Sequence, residues 1–178
     1  MLSSIMLTIR PSRDEDIQTI SEIYKYYVCN STCTFEITPP TIEEMANRRR
    51  DVLEKNLPYL VAQIQDSIVG YAYCTWFKPR AAYRFSVEST IYLVPDRCGQ
   101  GLGGQLLDAL IHEAELAGAR KMIATIADSV NEKSIHLHRK AGFVHVGTLK
   151  SCGWKFDRWI DVILMERPIG QSDKTAPQ

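Results

Sequence analysis

The sequence has no excess of either charge, because 21 Lys and Arg residues balance 21 Asp and Glu residues. A chain without net charge has no overall field that would attract nucleic acid or an anionic membrane surface. It also has no apolar run long enough to span a bilayer, and its first apolar residues are too interrupted for a signal peptide. We therefore expect no nucleic-acid partner and no membrane partner.

The five cysteines are odd in number and include no Cys-x-x-Cys pair. A secreted disulfide framework has neither feature, so we expect a cytoplasmic location. His136 and His138 are two residues apart, and on a helix side chains at that spacing point in different directions. Because no third clustered ligand accompanies them, the sequence predicts no metal site.

The apolar patterning predicts one α/β domain with a mixed sheet. The 178 residues suffice for a single core, which we place over residues 7–168, with residues 169–178 as a disordered tail. Capping boxes at Ser12 with Glu15 and at Thr41 with Glu44 predict the starts of the first two helices. The predicted strands are 7–10, 59–64, 68–75, 84–94, 122–126, 143–149 and 159–165.

A glycine-rich turn lies between the fourth predicted strand and a long amphipathic helix. Residues 98–104 read Cys-Gly-Gln-Gly-Leu-Gly-Gly, and the helix that follows has a regular apolar face. Glycines allow a ligand to approach the backbone closely, and the free amides and dipole of a helix start attract phosphate. The turn therefore predicts a binding site for a phosphorylated cofactor.

The spacing of this turn excludes two common nucleotide motifs. A Walker P-loop needs Gly-Lys-Ser/Thr, whereas Gly101 is followed here by Leu102. A Rossmann fingerprint has Gly-x-Gly-x-x-Gly after the first strand of a domain, but these glycines are spaced differently and follow several strands of antiparallel character. We expect neither ATP nor a dinucleotide at this turn.

Two motifs, in this order of elements, resemble those of the GCN5-related N-acetyltransferase (GNAT) superfamily. The family's motif for acetyl-CoA, Arg/Gln-x-x-Gly-x-Gly/Ala, falls on residues 98–103, with Cys98 where Arg or Gln is usual. The second signature falls on residues 131–134 (Asn-Glu-Lys-Ser) and 140–143 (Lys-Ala-Gly-Phe). The resemblance implies the acyl-CoA N-acyltransferase fold, a mixed, mostly antiparallel central sheet flanked by helices, and acetyl-CoA as cosubstrate without a metal.

Shorter segments resemble the phosphinothricin and methionine sulfoximine N-acetyltransferases within that superfamily. They are residues 34–36, 80–84, 87–93, 137–138 and 159–162. The resemblance implies acetylation of the free amine of a small amino-acid-like substrate by direct transfer in a ternary complex. It also implies a homodimer with residues 149–159 near the interface. Two alternatives stay open: acetylation of a cationic amine or peptide N-terminus, and a non-catalytic acyl-CoA sensor.

Two residues are candidates for the proton transfers of acetylation. Glu88 alternates along its strand with residues of core character, and partial desolvation there would raise the pKa of a carboxylate towards the range of a general base. A solvated glutamate at a strand edge is the alternative. His138 lies where many members of the superfamily carry a Tyr that protonates the coenzyme A thiolate, and packing beside the cofactor is its equal alternative.

The resemblance also implies residues that bind the two substrates. The backbone of Tyr92, Leu93 and Val94 would bind pantetheine and stabilise the oxyanion, and Asn131 would bind pantetheine or simply cap a helix. The pyrophosphate would lie against Gly99, Gln100, Gly101, Leu102, Gly103 and Gly104. The acceptor side would comprise Phe35, Arg80, Tyr83 and Arg84, since a guanidinium grips a carboxylate or phosphinate in two places, unless the two arginines are merely solvated.

Overall fold

Seven strands form one sheet, in the order β1-β2-β3-β4-β5-β7-β6, in the computed structural model, which describes residues 7–177. The strands are β1 (Leu7–Pro11), β2 (Tyr59–Ile64), β3 (Ser67–Trp76), β4 (Ser86–Leu93), β5 (Lys121–Ala127), β6 (Val144–Lys155) and β7 (Arg158–Pro168). The helices are α1 (Ile17–Asn30), α2 (Ile42–Glu54), α3 (Leu102–Leu116) and α4 (Glu132–Lys140). Among the described strands only β4 and β5 pair in parallel, so the predicted mixed, mostly antiparallel sheet is confirmed.

Helices α1 and α3 cover opposite faces of the sheet, as two neighbouring residues of β4 demonstrate. The ring of Tyr92 packs against Tyr24 and Tyr27 of α1. The side chain of Leu93 instead lies over Gly103 of α3. Successive side chains of a strand point to opposite faces, so the two helices lie on the two sides. The buried face of α3 is the predicted one, Leu102, Leu106, Leu107, Leu110, Ile111 and Ala114.

Strands β4 and β5 pair only over their first three residues, ending where Glu88 aligns with Ile123. Beyond that point β4 keeps its pairing with β3 as far as Leu93, and β5 keeps its pairing with β7 as far as Ala127. Within residues 7–177 the facing edges of β4 and β5 have no further pairing with each other. The two strands therefore enclose an opening that begins at Glu88 and leads towards the glycine-rich turn.

Several observed boundaries differ from the sequence predictions, and three of these differences have a clear structural basis. The fourth strand begins at Ser86 rather than residue 84, because Ala81–Tyr83 form a short 3-10 turn. The sixth strand runs on to Lys155, because it resumes pairing with β7 after a register shift between Leu149 and Gly153. Ile169 is buried, and its N–H donates to the Arg120 carbonyl. The core therefore includes this first residue of the predicted tail.

The two predicted capping boxes have different outcomes. Thr41 and Glu44 cap α2 reciprocally, as predicted, with N–H to oxygen distances of 3.1 and 2.8 Å. At the first helix the Ser12–Glu15 prediction is wrong, because Asp16 accepts from the Arg13 N–H at 2.6 Å instead. None of the helices described in residues 7–177 has the length and apolarity to cross a membrane.

Candidate active site

The glycine-rich turn leads directly into the N-terminus of α3. Gly99 and Gly101 have φ of +80° and +81°, a left-handed conformation that strains any residue with a Cβ. A Cβ added at Gly99, Gly101 or Gly104 would meet no atom within 4 Å. The backbone at these positions therefore faces open space, which leaves room for a ligand.

Six consecutive backbone N–H groups at this turn, those of residues 99–104, are free to bind an anion. No acceptor in the described part of the chain takes a hydrogen bond from any of them, and no side chain caps α3. Free N–H groups at a helix start, together with the helix dipole, favour phosphate. The turn therefore fits the diphosphate of coenzyme A by the chemistry of its donors.

Two side chains of the turn point away from this run of amides. Cys98, which replaces the usual Arg or Gln, has its Sγ 3.8 Å from the Tyr27 hydroxyl and 3.9 Å from the Val94 carbonyl oxygen. The Gln100 amide donates to the Asp96 carbonyl at 3.1 Å. Anion binding at the turn thus depends on the backbone rather than on these side chains.

Of the three residues predicted at the end of β4, Leu93 presents its backbone to the opening. The Val94 N–H donates to the Val69 carbonyl of β3 at 2.8 Å. Because backbone groups alternate in direction along a strand, those of Tyr92 also point to β3 and those of Leu93 point away from it. The Leu93 carbonyl accepts from the Tyr27 hydroxyl at 2.6 Å, so its N–H is the group left for a ligand.

Glu88 lies at the point where β4 and β5 separate. Alternation places its side chain on the same face as Thr90 and Tyr92, the face covered by α1, and the residue is half-buried. Burial raises the pKa of the neighbouring Tyr73 hydroxyl, and the negative charge of Glu88 raises it further, whereas a hydrogen bond with Thr90 lowers it. Tyr73 therefore stays protonated beside the Glu88 carboxyl group.

His138 is 3% exposed and packs edge-on against Phe143, with ring centroids 5.0 Å apart. Its Nδ1 lies 2.8 Å from the Ser134 carbonyl oxygen, which requires the hydrogen on Nδ1. Burial lowers the pKa of the imidazole, and the bond to Ser134 opposes this in part. The ring is therefore neutral at neutral pH and has its lone pair on Nε2.

Asn131 caps α4 and also reaches the loop that follows α1. Its Oδ1 accepts from the Ser134 N–H at 3.3 Å, and its Nδ2 donates to the Cys33 Sγ at 3.5 Å. The capping role considered from the sequence is therefore present. The preceding turn is held by buried Asp128, whose carboxylate accepts from Thr32 and Arg158. Burial raises the Asp128 pKa, but these bonds outweigh it and lower the pKa overall.

The predicted acceptor residues lie in two separate segments. Phe35 is in the loop between α1 and α2, with its ring against Gly153 of β6. Arg80, Tyr83 and Arg84 lie exposed in the connection between β3 and β4, where the Arg84 guanidinium lies 4.3 Å from the Phe85 ring centroid. Within residues 7–177 neither arginine forms an ion pair, although Nη1 of Arg84 donates to the Ala81 carbonyl at 3.2 Å. Both side chains therefore retain N–H groups for an anion.

Sequence reasoning missed several residues that hold the Phe35 loop. Glu36 binds Arg48 of α2 at 2.6 Å and Tyr24 of α1 at 2.9 Å. Lys155 of β6 donates to the Thr34 carbonyl at 2.9 Å. The alternation of exposed Trp154 and Phe156 around Lys155 was a signal that this lysine points inward.

A pocket of about 210 Å³ lies between α2 and β3, on the face of the sheet that also carries Glu88. It is lined by Arg48, Asp51, Val52, Lys55, Tyr73 and Thr75. Thr75 is the partner of Glu88 in the β3–β4 register. Among the described residues, no cluster of three His, Cys, Asp or Glu side chains is arranged to hold a metal ion.

Comparisons with known proteins agree with this geometry. The family model "Acetyltransferase (GNAT) domain" matches residues 9–164. The chain is 45% identical to a phosphinothricin N-acetyltransferase of Alcaligenes faecalis, over 99% of this chain and 90% of that protein. It is 36% identical to an L-methionine sulfoximine/L-methionine sulfone acetyltransferase of Pseudomonas aeruginosa, over 96% of this chain and 98% of that protein.

Solved structures show the same relationship. A phosphinothricin acetyltransferase from Sinorhizobium meliloti, crystallised in complex with acetyl-CoA, superposes with a TM-score of 0.93 at 40% identity. The match covers 97% of this chain and 93% of that one. The chain therefore belongs to the GNAT acetyltransferase family and is an N-acetyltransferase.

Proposed function

We propose that this N-acetyltransferase transfers the acetyl group of acetyl-CoA to the free amine of a small amino-acid-like acceptor. Phosphinothricin, methionine sulfoximine and methionine sulfone are the candidates that the named relatives support. The observation that carries the proposal is the opening between β4 and β5. It begins at Glu88, where the pairing of the two strands ends, and leads towards the free N–H groups of residues 99–104.

Each end of this opening has one task in a direct transfer within a ternary complex. The amides of residues 99–104 would hold the diphosphate, and the Leu93 N–H would donate to the oxygen on which negative charge develops. When bound, acetyl-CoA supplies the thioester that the amine attacks. Glu88 would take a proton from the acceptor's ammonium, directly or through one water, so that the nitrogen has a free lone pair.

His138 is the candidate for returning a proton to the departing sulfur. Because its Nε2 is unprotonated at neutral pH, it would first take up there the second proton, which the acceptor nitrogen loses after its attack on the thioester carbon. The bond from Nδ1 to Ser134 would hold the ring in one orientation during that exchange. Replacement of His138 by Asn, which cannot carry a proton in this way, should lower kcat by about 100-fold. Unchanged kcat would leave His138 with a packing role alone.

The acceptor's acidic groups would bind at the β3–β4 connection. Arg80 and Arg84 are exposed there, and a guanidinium forms paired hydrogen bonds with a carboxylate or phosphinate. Phe35 and Tyr83 would contact the remainder of the acceptor. A cationic acceptor such as a polyamine would instead meet two positive charges of its own sign, which disfavours it.

We also propose that the protein is a homodimer formed through β6 and the β6–β7 hairpin, in the cytoplasm. β6 is an edge strand, and exposed apolar side chains lie along it, in the turn after it and at the start of β7: Val144, Val146, Leu149 and Trp154, then Phe156, then Trp159. An exposed apolar edge strand favours pairing with another chain. Sedimentation should give twice the chain mass, whereas the chain mass itself would contradict the dimer.

A thiol-release assay tests the function. The protein is mixed with acetyl-CoA and, in turn, phosphinothricin, methionine sulfoximine, methionine sulfone, ordinary L-amino acids, spermidine and a short peptide. We expect release of coenzyme A with one of the amino-acid-like acceptors and little with spermidine. Faster release with the peptide or with spermidine would contradict the proposal that the acceptor is amino-acid-like. Silence with every acceptor, while acetyl-CoA still binds, would favour a sensor.

A further inference from the structure

Residues 31–36, which include Phe35, form the first part of the connection between α1 and α2. One strand, β6, contacts this loop. Two residues of β6, Gly153 and Lys155, contact it at adjacent positions. They are two apart, so both point to the same face of β6. Neither belongs to the residues assigned above to acetyl-CoA or to the acceptor.

Gly153 provides the space in which the Phe35 ring lies. A Cβ at this position would stand 2.2 Å from Cε1 and 2.5 Å from Cδ1 of Phe35, far inside any real contact distance. One side of the ring is therefore pressed against the backbone of β6. The residue is nevertheless 38% exposed, so the rest of the ring is open to a ligand.

Lys155 fixes the neighbouring residue of the loop. The lysine is only 5% exposed, and its Nζ donates to the Thr34 carbonyl at 2.9 Å. Within the described residues no carboxylate lies in ion-pair range of this amine, although Cys29, Cys33 and Glu36 surround it at longer distance. Burying an ammonium without a carboxylate costs free energy, so the bond to the Thr34 carbonyl is one of the few contacts that offset this cost.

Other contacts of the loop come from α1, from α2 and from the segment that precedes α4. The Thr34 hydroxyl lies 2.9 Å from the Tyr24 hydroxyl, and the Glu36 N–H donates to Thr34 Oγ1 at 3.2 Å. None of these bonds uses the Thr34 carbonyl, which is therefore left unbonded if Lys155 is removed. The effect of losing Lys155 should therefore be concentrated at Thr34 and Phe35.

We propose that Gly153 and Lys155 are positioning residues that hold Phe35 at a constant place on the acceptor side of the site. The proposal rests on the function proposed above, in which Phe35 contacts the acceptor. Neither residue touches a reacting atom. They act through the loop, Gly153 by leaving space for the ring and Lys155 by anchoring the preceding carbonyl.

Steady-state kinetics on Lys155→Met tests the anchor, with Lys150→Met on the same strand as a matched control. Lys150 is exposed and pairs only with Asp161 at the surface. We expect kcat/KM for the acceptor to fall by about 10- to 100-fold in Lys155→Met, with KM for acetyl-CoA unchanged. Lys150→Met should match the wild type. Equal losses for both substrates would indicate a general structural role and overturn the proposal.

Hydrogen exchange tests the same idea without relying on turnover. In Lys155→Met the amides of residues 31–36 should exchange roughly tenfold faster, while those of β7 are unchanged. Unchanged exchange in this loop would overturn the positioning role. If the wild type acetylates none of the acceptors, the proposed function fails, and the exchange result still decides whether Lys155 orders the loop.

Gly153→Ala provides a second variant should Lys155→Met fail to fold. The added methyl group displaces the Phe35 ring, so acceptor KM should rise by about tenfold with acetyl-CoA KM unchanged. In a Phe35→Ala background the clash is gone, and adding Gly153→Ala should have no further effect. Additive losses in the double variant would show that Gly153 does not act through Phe35.

Discussion

The Nδ1 atom of His138 lies 2.8 Å from the carbonyl oxygen of Ser134, one helical turn earlier in α4. This bond places the hydrogen on Nδ1 and the lone pair on Nε2. Burial lowers the imidazole pKa from its ordinary value near 6.5. The folded protein therefore resists protonation of a residue that the unfolded chain protonates readily, which makes stability depend on pH.

Stability should decrease in acid because of His138. Its folded pKa is below its unfolded pKa, so its contribution is complete above about pH 6.5 and is lost as the pH falls towards the folded value. His138→Gln should therefore lose less stability than the wild type between pH 7.5 and 5.5, as measured by urea unfolding. His112→Gln, at an exposed position on α3, is the control and should retain the full pH dependence. If the free energy of unfolding depended equally on pH in both variants, the assignment of this pH dependence to His138 would be contradicted.

Glu88→Gln should lower kcat by about 100-fold or more, because the amide cannot take a proton from the acceptor's ammonium. Affinity for acetyl-CoA should be unchanged, since the proposed diphosphate site is at the other end of the opening. Stopped-flow or steady-state thiol release measures kcat, and calorimetry measures the affinity for acetyl-CoA. Glu113→Gln, on the exposed side of α3, should behave as the wild type. Wild-type turnover in Glu88→Gln would remove Glu88 from the role of base.

Gly101→Ala should weaken acetyl-CoA binding by about tenfold, because straightening the left-handed backbone would misalign the free amides. If the variant keeps the left-handed backbone at this position instead, the fold loses about 1–2 kcal/mol of stability. Gly147→Ala is the matched control: its Cβ also meets open space, and its backbone is not left-handed. Calorimetric titration with acetyl-CoA should separate the two variants. Equal affinities would show that the turn tolerates a side chain.

Arg10→Met should destabilise the fold by about 3 kcal/mol at pH 7, because it leaves the buried Asp16 carboxylate without its cation. Burial raises the Asp16 pKa, but the bonds from Arg10 and Arg13 outweigh it and lower the pKa in the folded protein. Without Arg10, protonation of Asp16 should relieve the loss, so the deficit should shrink between pH 7 and 4. Arg13→Met breaks only a surface pair with Glu15 at 3.6 Å and should cost far less.

The sequence predicted correctly a helix cap whose two partners are close together in the chain. The Thr41–Glu44 box caps α2 as expected, because both partners lie within one helical turn. The Ser12–Glu15 prediction failed because the Ser12 hydroxyl accepts from Arg49 Nε of α2 at 2.7 Å. That arginine is 37 residues away, and no local pattern reveals which side chains it will meet.

The same distinction between local and distant contacts applies to the candidate site. The glycine turn was recognisable because left-handed backbone and close approach to phosphate both require glycine. The role of Lys155 in β6 was not recognisable, since its partner Thr34 lies 121 residues earlier in the chain. The two residues meet only because β6 lies beside the loop that contains Thr34. The pairing of β4 with β3 also decided which residue of β4 has a free N–H. The sequence of one strand alone does not reveal that pairing.

The sequence by itself determined the family, the order of elements and the glycine-rich turn, because each depends on residue types at short, regular spacings. Only the tertiary structure decided where β4 and β5 separate, which groups of β4 face that opening, and how Gly153 and Lys155 reach the Phe35 loop. Those features arise from contacts between segments far apart in the chain, and such contacts follow from the packing of the whole sheet rather than from any local pattern.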